Sequence, residues 1–193
     1  MKFAQSNDDD RGQVGIGTLI IFIALVLVAA VAAGVLVNTA GLLQSQAQDT
    51  GADAQSQVSN QIDVVSATGE NAGSDDDVDT VRLVVKKSAG SDPIDLEEAT
   101  IEYTSSGSSA TLTHGGTADG TTFSTAIEKG DSATILDDNG ERVTVTVNVD
   151  SIEGGGLAEG EEATLRIVDQ SGATTIYGVN VPDVLGSNNY VTV

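Results

Sequence analysis

The hydrophobic and polar positions divide the chain into a long apolar segment near its start and an alternating pattern farther on. No Asp, Glu, Lys or Arg occurs between Gly12 and Gln48, and residues 16–37 are apolar except for two glycines and one threonine. A helix over residues 16–37 spans about 33 Å, enough to cross the hydrocarbon core of a bilayer. Because apolar side chains fill every face of this helix, it must leave water, either in a bilayer or inside an assembly.

The apolar segment continues into a polar one rich in Ala, Gln and Ser, in which Val58, Ile62 and Val65 recur at spacings of four and three. Such spacing places an apolar stripe on one face of a helix. We therefore predict one helix over residues 13–66, whose second half packs its stripe on the following domain. Residues 67–78, which are rich in Asn, Gly and Asp, are expected to form an acidic loop.

From residue 79 onward the hydrophobic period is two, which is typical of half-buried strands. The alternation predicts strands over residues 81–85, 99–104, 142–149, 163–168 and 174–179. Turn signals between strands occur at residues 138–140 (Asp-Asn-Gly) and 170–172 (Gln-Ser-Gly). The predicted fold class is α+β, with a long amino-terminal hydrophobic helix followed by an immunoglobulin-like antiparallel β-sandwich over residues 79–193.

The charge balance narrows the range of partners. The net charge is −21, from 29 acidic and 8 basic residues. A chain with so few Lys and Arg offers no broad surface for nucleic acid, and its acidity disfavours binding to anionic lipid surfaces. Acidic excess of this size predicts a protein made for high salt, where the Debye length falls to about 3 Å at 1 M and repulsion is screened.

Side chains that carry catalysis or bind metals are scarce. The chain has no Cys and a single histidine, His114, which the pattern places in a loop. Asp75, Asp77 and Asp79 have the alternate spacing of a calcium loop, but the glycine that such a loop needs next is replaced by Thr80. We therefore expect no enzymatic activity, no cofactor and no metal.

Three kinds of amino-terminal segment contain such an apolar run. A secretory signal peptide has a cleavage motif at residues 30–32 (Ala-Val-Ala), but the run is too long and its leader is acidic. A one-pass anchor explains the hydrophobicity and leaves the leader unexplained. A prepilin-type leader, cleaved after Gly12, needs an extended site of small residues, and Arg11, Gly12, Gln13 and Gly15 provide one because glycine disfavours helix.

The orientation in a membrane is the same for an anchor and for a prepilin. Lys2 and Arg11 are the only basic residues before Arg82. Positive charge is retained on the cytoplasmic side, so we expect a precursor with its amino terminus inside and its acidic domain outside.

The run Arg11–Ile20 (RGQVGIGTLI) closely resembles the amino terminus of archaellins, the archaeal flagellins, and the likeness continues through residues 28–36 and 38–41. The resemblance implies that an archaeal prepilin peptidase removes residues 1–12. It implies that the mature subunits leave the cytoplasmic membrane and stack their helices into the core of a filament. That filament, the archaellum, is extracellular, and a motor and assembly platform at its base rotate it for swimming.

The resemblance assigns polymerisation to the apolar helix, through contacts with other copies of the chain and with sister archaellins. Its candidate residues are the large apolar side chains and the small residues at a spacing of four: Ile16, Leu19, Ile20, Phe22, Ile23, Leu25, Val26, Leu27, Ala29, Ala33, Gly34, Leu36 and Leu42. Two other functions stay open at this point. One is an archaeal type IV adhesion pilin with the same export route, and the other is a membrane-anchored surface binding module that never polymerises.

Overall fold

Helix α1 runs without interruption from Asp8 to Ser59. The computed structural model describes residues 8–71, 77–185 and 189–193, and the chain divides into two units, Met1–Ala52 and Asp53–Val193. Ala, Leu and Gln, which favour helix, are frequent in α1, and both prolines of the chain come later. The described part of the first unit is entirely helical, whereas the second unit contains the final turns of α1 and all of the described strands.

The strand-bearing part of the second unit, residues 62–193, which we call the β-domain, follows the predicted alternation. The predicted strands over residues 81–85, 99–104, 142–149, 163–168 and 174–179 are all present, with small shifts at their ends. The elements after α1 are β1 Ile62–Glu70, β2 Asp77–Val78, β3 Thr80–Lys87, β4 Ile94–Asp95, β5 Thr100–Ser105, β6 Ser109–His114, β7 Thr122–Lys129, β8 Ile135–Leu136, β9 Arg142–Asn148, α2 Asp150–Glu153, β10 Leu157–Ala158, β11 Glu162–Val168, β12 Thr174–Asn180 and β13 Tyr190–Thr192.

The predicted continuation of the helix to residue 66 is wrong, because α1 ends at Ser59 and strand β1 follows. Ile62 and Val64 have the spacing of two that places side chains on one face of a strand, and β-branched residues such as these favour the strand. Pairing along the length of β3 then decides the outcome. Val58, which was expected to pack on the domain, has 78% of its surface exposed.

The predicted acidic loop over residues 67–78 is also shorter than expected. Strand β1 extends to Glu70, and β2 begins at Asp77. Residues 72–76, which include Asp75 of the calcium-like spacing, lie outside the described residues.

Among the described residues, nine strands form one sheet in the order β12-β11-β5-β6-β7-β9-β3-β1-β13. Neighbouring strands are antiparallel except β6 and β7, which pair in parallel over two residues at their ends. Inner side chains from both sides of this short pairing belong to one core, so the sheet curls back on itself. Near the opposite margin, the Thr175 hydroxyl donates a 2.9 Å hydrogen bond to the carbonyl of Ile62. The predicted antiparallel sandwich is therefore confirmed in the form of a curled sheet.

The core is built from the inward positions of the strands. Val143, Val145 and Val147 of β9 are buried, and the threonines between them face outward. Tyr103 of β5 is also buried, and its hydroxyl donates a 2.6 Å hydrogen bond to Glu153 Oε1 of α2. Burial, and then the neighbouring Glu153 carboxylate, raise the pKa of Tyr103 well above its ordinary value. The phenol therefore stays protonated and satisfies its donor inside the core.

A matched pair of substitutions tests this assignment of the core. Ile101 has 1% of its surface exposed and Ile176 has 62% exposed. We expect Ile101→Ala to lower the free energy of unfolding by about 2–5 kcal/mol, because a cavity replaces the side chain. Ile176→Ala, the same change on the outer face, should alter it by less than about 0.5 kcal/mol. Urea unfolding of the full chain in detergent, followed by circular dichroism, measures both, and equal losses would contradict the proposed packing.

Candidate polymerisation surface

The surface of α1 between Val14 and Leu43 is apolar on every side. Its large hydrophobic side chains are between 51% and 73% exposed, Val26 being the least and Val37 the most exposed. Each such side chain gains roughly 1.5–3 kcal/mol when it is fully buried, so covering this surface is worth tens of kcal/mol. A soluble monomer rarely exposes an apolar patch of this size, which marks α1 as a surface that needs a partner or a membrane.

The helix also meets the requirements for a membrane span. Among the described residues, it is the helix that is long and apolar enough by length and composition, and its most apolar part has a mean hydropathy of 3.2. The hydroxyl of Thr18 donates to the carbonyl of Gly15 at 2.9 Å, and that of Thr39 donates to the carbonyl of Val35 at 2.8 Å. Because each hydroxyl is hydrogen-bonded within the helix, neither threonine introduces an unpaired donor into an apolar environment.

The predicted polymerisation residues all lie on this surface. Each of them, from Ile16 to Leu42, is exposed, with the large side chains available to a partner. At Gly34 and Gly41 no atom of the chain lies within 4 Å of the place that a Cβ would occupy. Small residues such as Ala29, Ala33 and Gly34 therefore leave space in which another helix can approach closely.

The predicted cleavage site lies inside the helix. Arg11, Gly12, Gln13 and Gly15 all belong to α1, so the expectation of an extended site is wrong for this structure. No proline interrupts this stretch, and the cost of roughly 1 kcal/mol for each glycine is small beside the helix formers that follow. Gln13 is exposed, and the space beside Gly12 and Gly15 is open. The bond after Gly12 is thus accessible, although its backbone is helical.

The candidate catalytic groups have structural roles. His114 is the last residue of β6 rather than part of a loop, and it is half-buried. Its Nε2 lies 2.9 Å from the Thr125 hydroxyl, and its ring meets that of Phe123 edge to face at 5.6 Å. No cluster of three or more metal-binding side chains occurs among the described residues.

The carboxylate of Glu141 organises a loop of its own chain. Glu141 is buried, and its Oε2 accepts the backbone N–H groups of Asp137 at 2.9 Å and Asp138 at 3.1 Å. The N–H groups of Asp138 and Asp137 hold the pKa of Glu141 below its usual range. A side-chain hydrogen bond with Glu141 raises the pKa of Asp137. The acceptor capacity of Glu141 is thus used within its own chain, by the β8–β9 turn through Oε2 and by the N–H of Asp131, in the loop before β8, through Oε1 at 3.4 Å.

Solved structures of archaeal filament proteins share this fold. The chain aligns with the archaeal flagellum of Methanospirillum hungatei at a TM-score of 0.70 and 24% identity, covering 93% of this chain and 99% of that one. It aligns with the crystal structure of an archaeal flagellin from Methanocaldococcus jannaschii at a TM-score of 0.62 and 15% identity, covering 69% and 96%. At these identities the likeness concerns the fold: a curled β-sheet domain, preceded in the first comparison by the long helix.

Sequence relatives cover nearly the whole chain. Flagellin B2 of Halobacterium salinarum is 47% identical over 190 residues, which is 97% of each chain. Flagellin A2 of Haloferax volcanii is 40% identical over 209 residues, covering 95% of this chain and 94% of that one. Both genera fit the high-salt environment that the acidic composition predicts. The family model for archaeal-type flagellin matches residues 12–179, and with these relatives it shows that the chain belongs to the archaeal-type flagellin family.

Proposed function

We propose that the chain is made as a membrane-inserted precursor, loses residues 1–12 to an archaeal prepilin peptidase, and polymerises through α1 into the extracellular archaellum. Members of the family are structural filament subunits rather than enzymes. The observation that carries the proposal is the helix surface between Val14 and Leu43, which is apolar on every side and uncovered in the single chain. A helical polymer covers such a surface, because head-to-tail contacts repeat without closing.

Transfer of the helix from membrane to filament costs little hydrophobic free energy because both environments are apolar. Between Gly12 and Gln48 no charged side chain has to change its solvation. Bilayer and helix bundle both exclude water, so the transfer exchanges lipid contacts for contacts with neighbouring helices. The membrane is thus a store for the subunit, with the amino terminus inside, and we infer that an assembly platform at the base of the filament draws the subunit from it.

Membership of the flagellin family favours swimming over the two other functions. An adhesion pilin would use the same helix and export route, but the matched family and the curated relatives are flagellins. A permanently anchored binding module would leave the residues flanking Gly12 without a role. The family match begins at residue 12, so residues 1–11 of the proposed leader lie outside it.

The assembly step is tested by placing a charge in the apolar helix. We expect Ile23→Asp to abolish filaments and swimming when it replaces the native chain in cells, because a buried carboxylate without a partner is costly in a helix bundle. The precursor should still insert, since one Asp costs only about 2.5–3.5 kcal/mol in a span this apolar. Electron microscopy, swimming assays and membrane fractionation give the three readouts.

Two control variants belong to this experiment. Ile23→Val keeps the apolar surface, and Ser106→Asp adds the same charge to an exposed position of the β-domain. Both should form filaments and swim. Normal filaments built from the Ile23→Asp chain would show that α1 does not mediate polymerisation. Wild-type cells that form filaments and attach to surfaces but do not swim would favour the adhesion pilin.

The cleavage site makes a separate prediction. Gly12→Val should block removal of residues 1–12, because a β-branched side chain replaces the glycine at the scissile bond. Gly41→Ala, a change at another open glycine of the same helix, should be processed normally. The intact mass of the chain recovered from membranes distinguishes precursor from mature subunit. A Gly12→Val chain of mature mass would place the cleavage elsewhere.

A further inference from the structure

The final turns of α1 are attached to the β-domain without hydrophobic packing. Between Asp53 and Ser59 no residue is buried, and Val58 has 78% of its surface exposed. The first buried apolar side chain after the helix is that of Ile62, at the start of β1. Polar contacts therefore decide how the last turn of the helix is held on the domain.

These polar contacts converge on two buried side chains, Asn60 and Ser91, which are 2% and 7% exposed. The Ser91 hydroxyl accepts the N–H of Gln61 at 3.1 Å and donates to the carbonyl of Ser59 at 3.1 Å. The Asn60 Oδ1 accepts the N–H of Asp92 at 2.9 Å. Both residues thus bond backbone groups on the opposite side of the junction, so neither segment moves without breaking them.

A third contact lies one turn back along the helix. The Gln57 Nε2 donates to the carbonyl of Gly172, in the turn between β11 and β12, at 3.4 Å. Long and exposed, this hydrogen bond is the weakest of the set. We call the side chains of Gln57, Asn60 and Ser91 together the helix-end clasp.

The loop that carries Ser91 has a defined shape. The N–H of Ser91 bonds to the carbonyl of Ser88 at 3.2 Å, and Gly90 between them has a φ of 96°. Residues with a side chain rarely adopt this φ, so glycine is needed there to present the Ser91 hydroxyl to the helix end. The N–H of Ser88 in turn bonds to the carbonyl of Gln61 at 2.9 Å, which ties the same loop to the residue after Asn60.

We propose that Asn60 and Ser91 are positioning residues of the filament subunit, whose hydrogen bonds hold the final turn of α1 on the β-domain and so transmit force between the core helix and the outer domain. The proposal rests on the proposed function, because only an assembled filament places load on this junction. Hydrogen bonds with directional requirements resist swivelling, which a flexible polar linker would permit. A filament with an intact clasp is therefore stiffer than one in which the clasp is broken.

The test uses hydrogen exchange and filament stiffness together. In the purified full-length precursor in detergent, Ser91→Ala should speed amide exchange in residues 53–61 by roughly fivefold or more, because the hydrogen bonds that hold the junction are lost. Exchange in β9 and β11, to which Ser91 makes no hydrogen bond, should be unchanged. Filaments of Ser91→Ala should form and have a shorter persistence length in fluorescence images, and Ser91→Thr, which keeps the hydroxyl, should restore both properties.

A matched pair protects the test against misfolding. Gln57→Ala removes a clasp contact from an exposed position, and Gln55→Ala makes the same change in the same helical segment. Gln57→Ala should speed exchange in residues 53–61 and soften filaments to a smaller degree than Ser91→Ala, and Gln55→Ala should do neither. Loss of protection throughout β9 and β11 in Ser91→Ala would indicate misfolding. In that case the comparison of Gln57→Ala with Gln55→Ala tests the positioning role.

The outcomes separate the clasp from the function on which it rests. Unchanged exchange in residues 53–61, or faster exchange with unchanged filament stiffness, would overturn the positioning role. Equal effects of Gln57→Ala and Gln55→Ala would overturn it as well. A wild-type chain that forms no filament would refute the proposed function and, with it, the transmission of force through the clasp. The exchange result on the precursor would still decide whether the clasp holds the helix end.

Discussion

The constraint on which the molecule depends is the free energy of hydrating α1. The helix surface between Val14 and Leu43 is apolar on all sides and has no charged residue, so a single chain in water leaves it exposed at a cost of tens of kcal/mol. The core of the β-domain is complete without these side chains. A bilayer or a bundle of identical helices must cover the surface. The chain belongs to a family of filament subunits, which favours the bundle in the assembled state.

The β-domain meets the opposite requirement, because its buried apolar side chains form an interior of their own. Its stability comes from an apolar interior of inward-facing Val, Leu and Ile, together with the satisfied phenol of Tyr103. Its few ion pairs, such as Arg82 with Glu70 at 2.6 Å, lie on the surface, where they contribute little and are screened by salt. Acidic side chains can therefore cover the outside without being required for the fold.

The sequence allowed prediction of those parts in which one period dominates. The apolar run of α1 has no competing pattern, and valines alternating with threonines in β9 leave little choice but a strand. Residues 60–70 were mispredicted because Ile62 and Val65 have the spacing of a helix whereas Ile62 and Val64 have that of a strand, and long-range pairing with β3 decided between the two. Strand β6 carries only a weak hydrophobic period, since Leu112 is its one fully buried side chain and its neighbours on the same face, Ala110 and His114, are small or polar and half-buried.

The candidate site divides in the same way. The apolar surface of α1 follows from hydrophobicity alone and its proposed role in polymerisation rests on the resemblance to archaellins, whereas the helical backbone at Gly12 contradicts the extended site that its glycines suggested. The helix-end clasp could not be predicted, because it joins the end of α1 to a loop far away in sequence through the Asn60 side chain, the Ser91 hydroxyl and a turn that depends on Gly90. Polar side chains that bond distant backbone groups leave no periodic pattern.

The central claim is that the α1 surface is covered by other subunits in the assembled state. Because the chain has no cysteine, single-cysteine variants Leu27→Cys and Ser106→Cys report on that surface and on the outer domain without background. In intact filaments treated with a hydrophilic maleimide, we expect Ser106→Cys to react fully and Leu27→Cys to stay unlabelled, with both reacting after dissociation in detergent. Rapid labelling of Leu27→Cys in intact filaments would contradict the account.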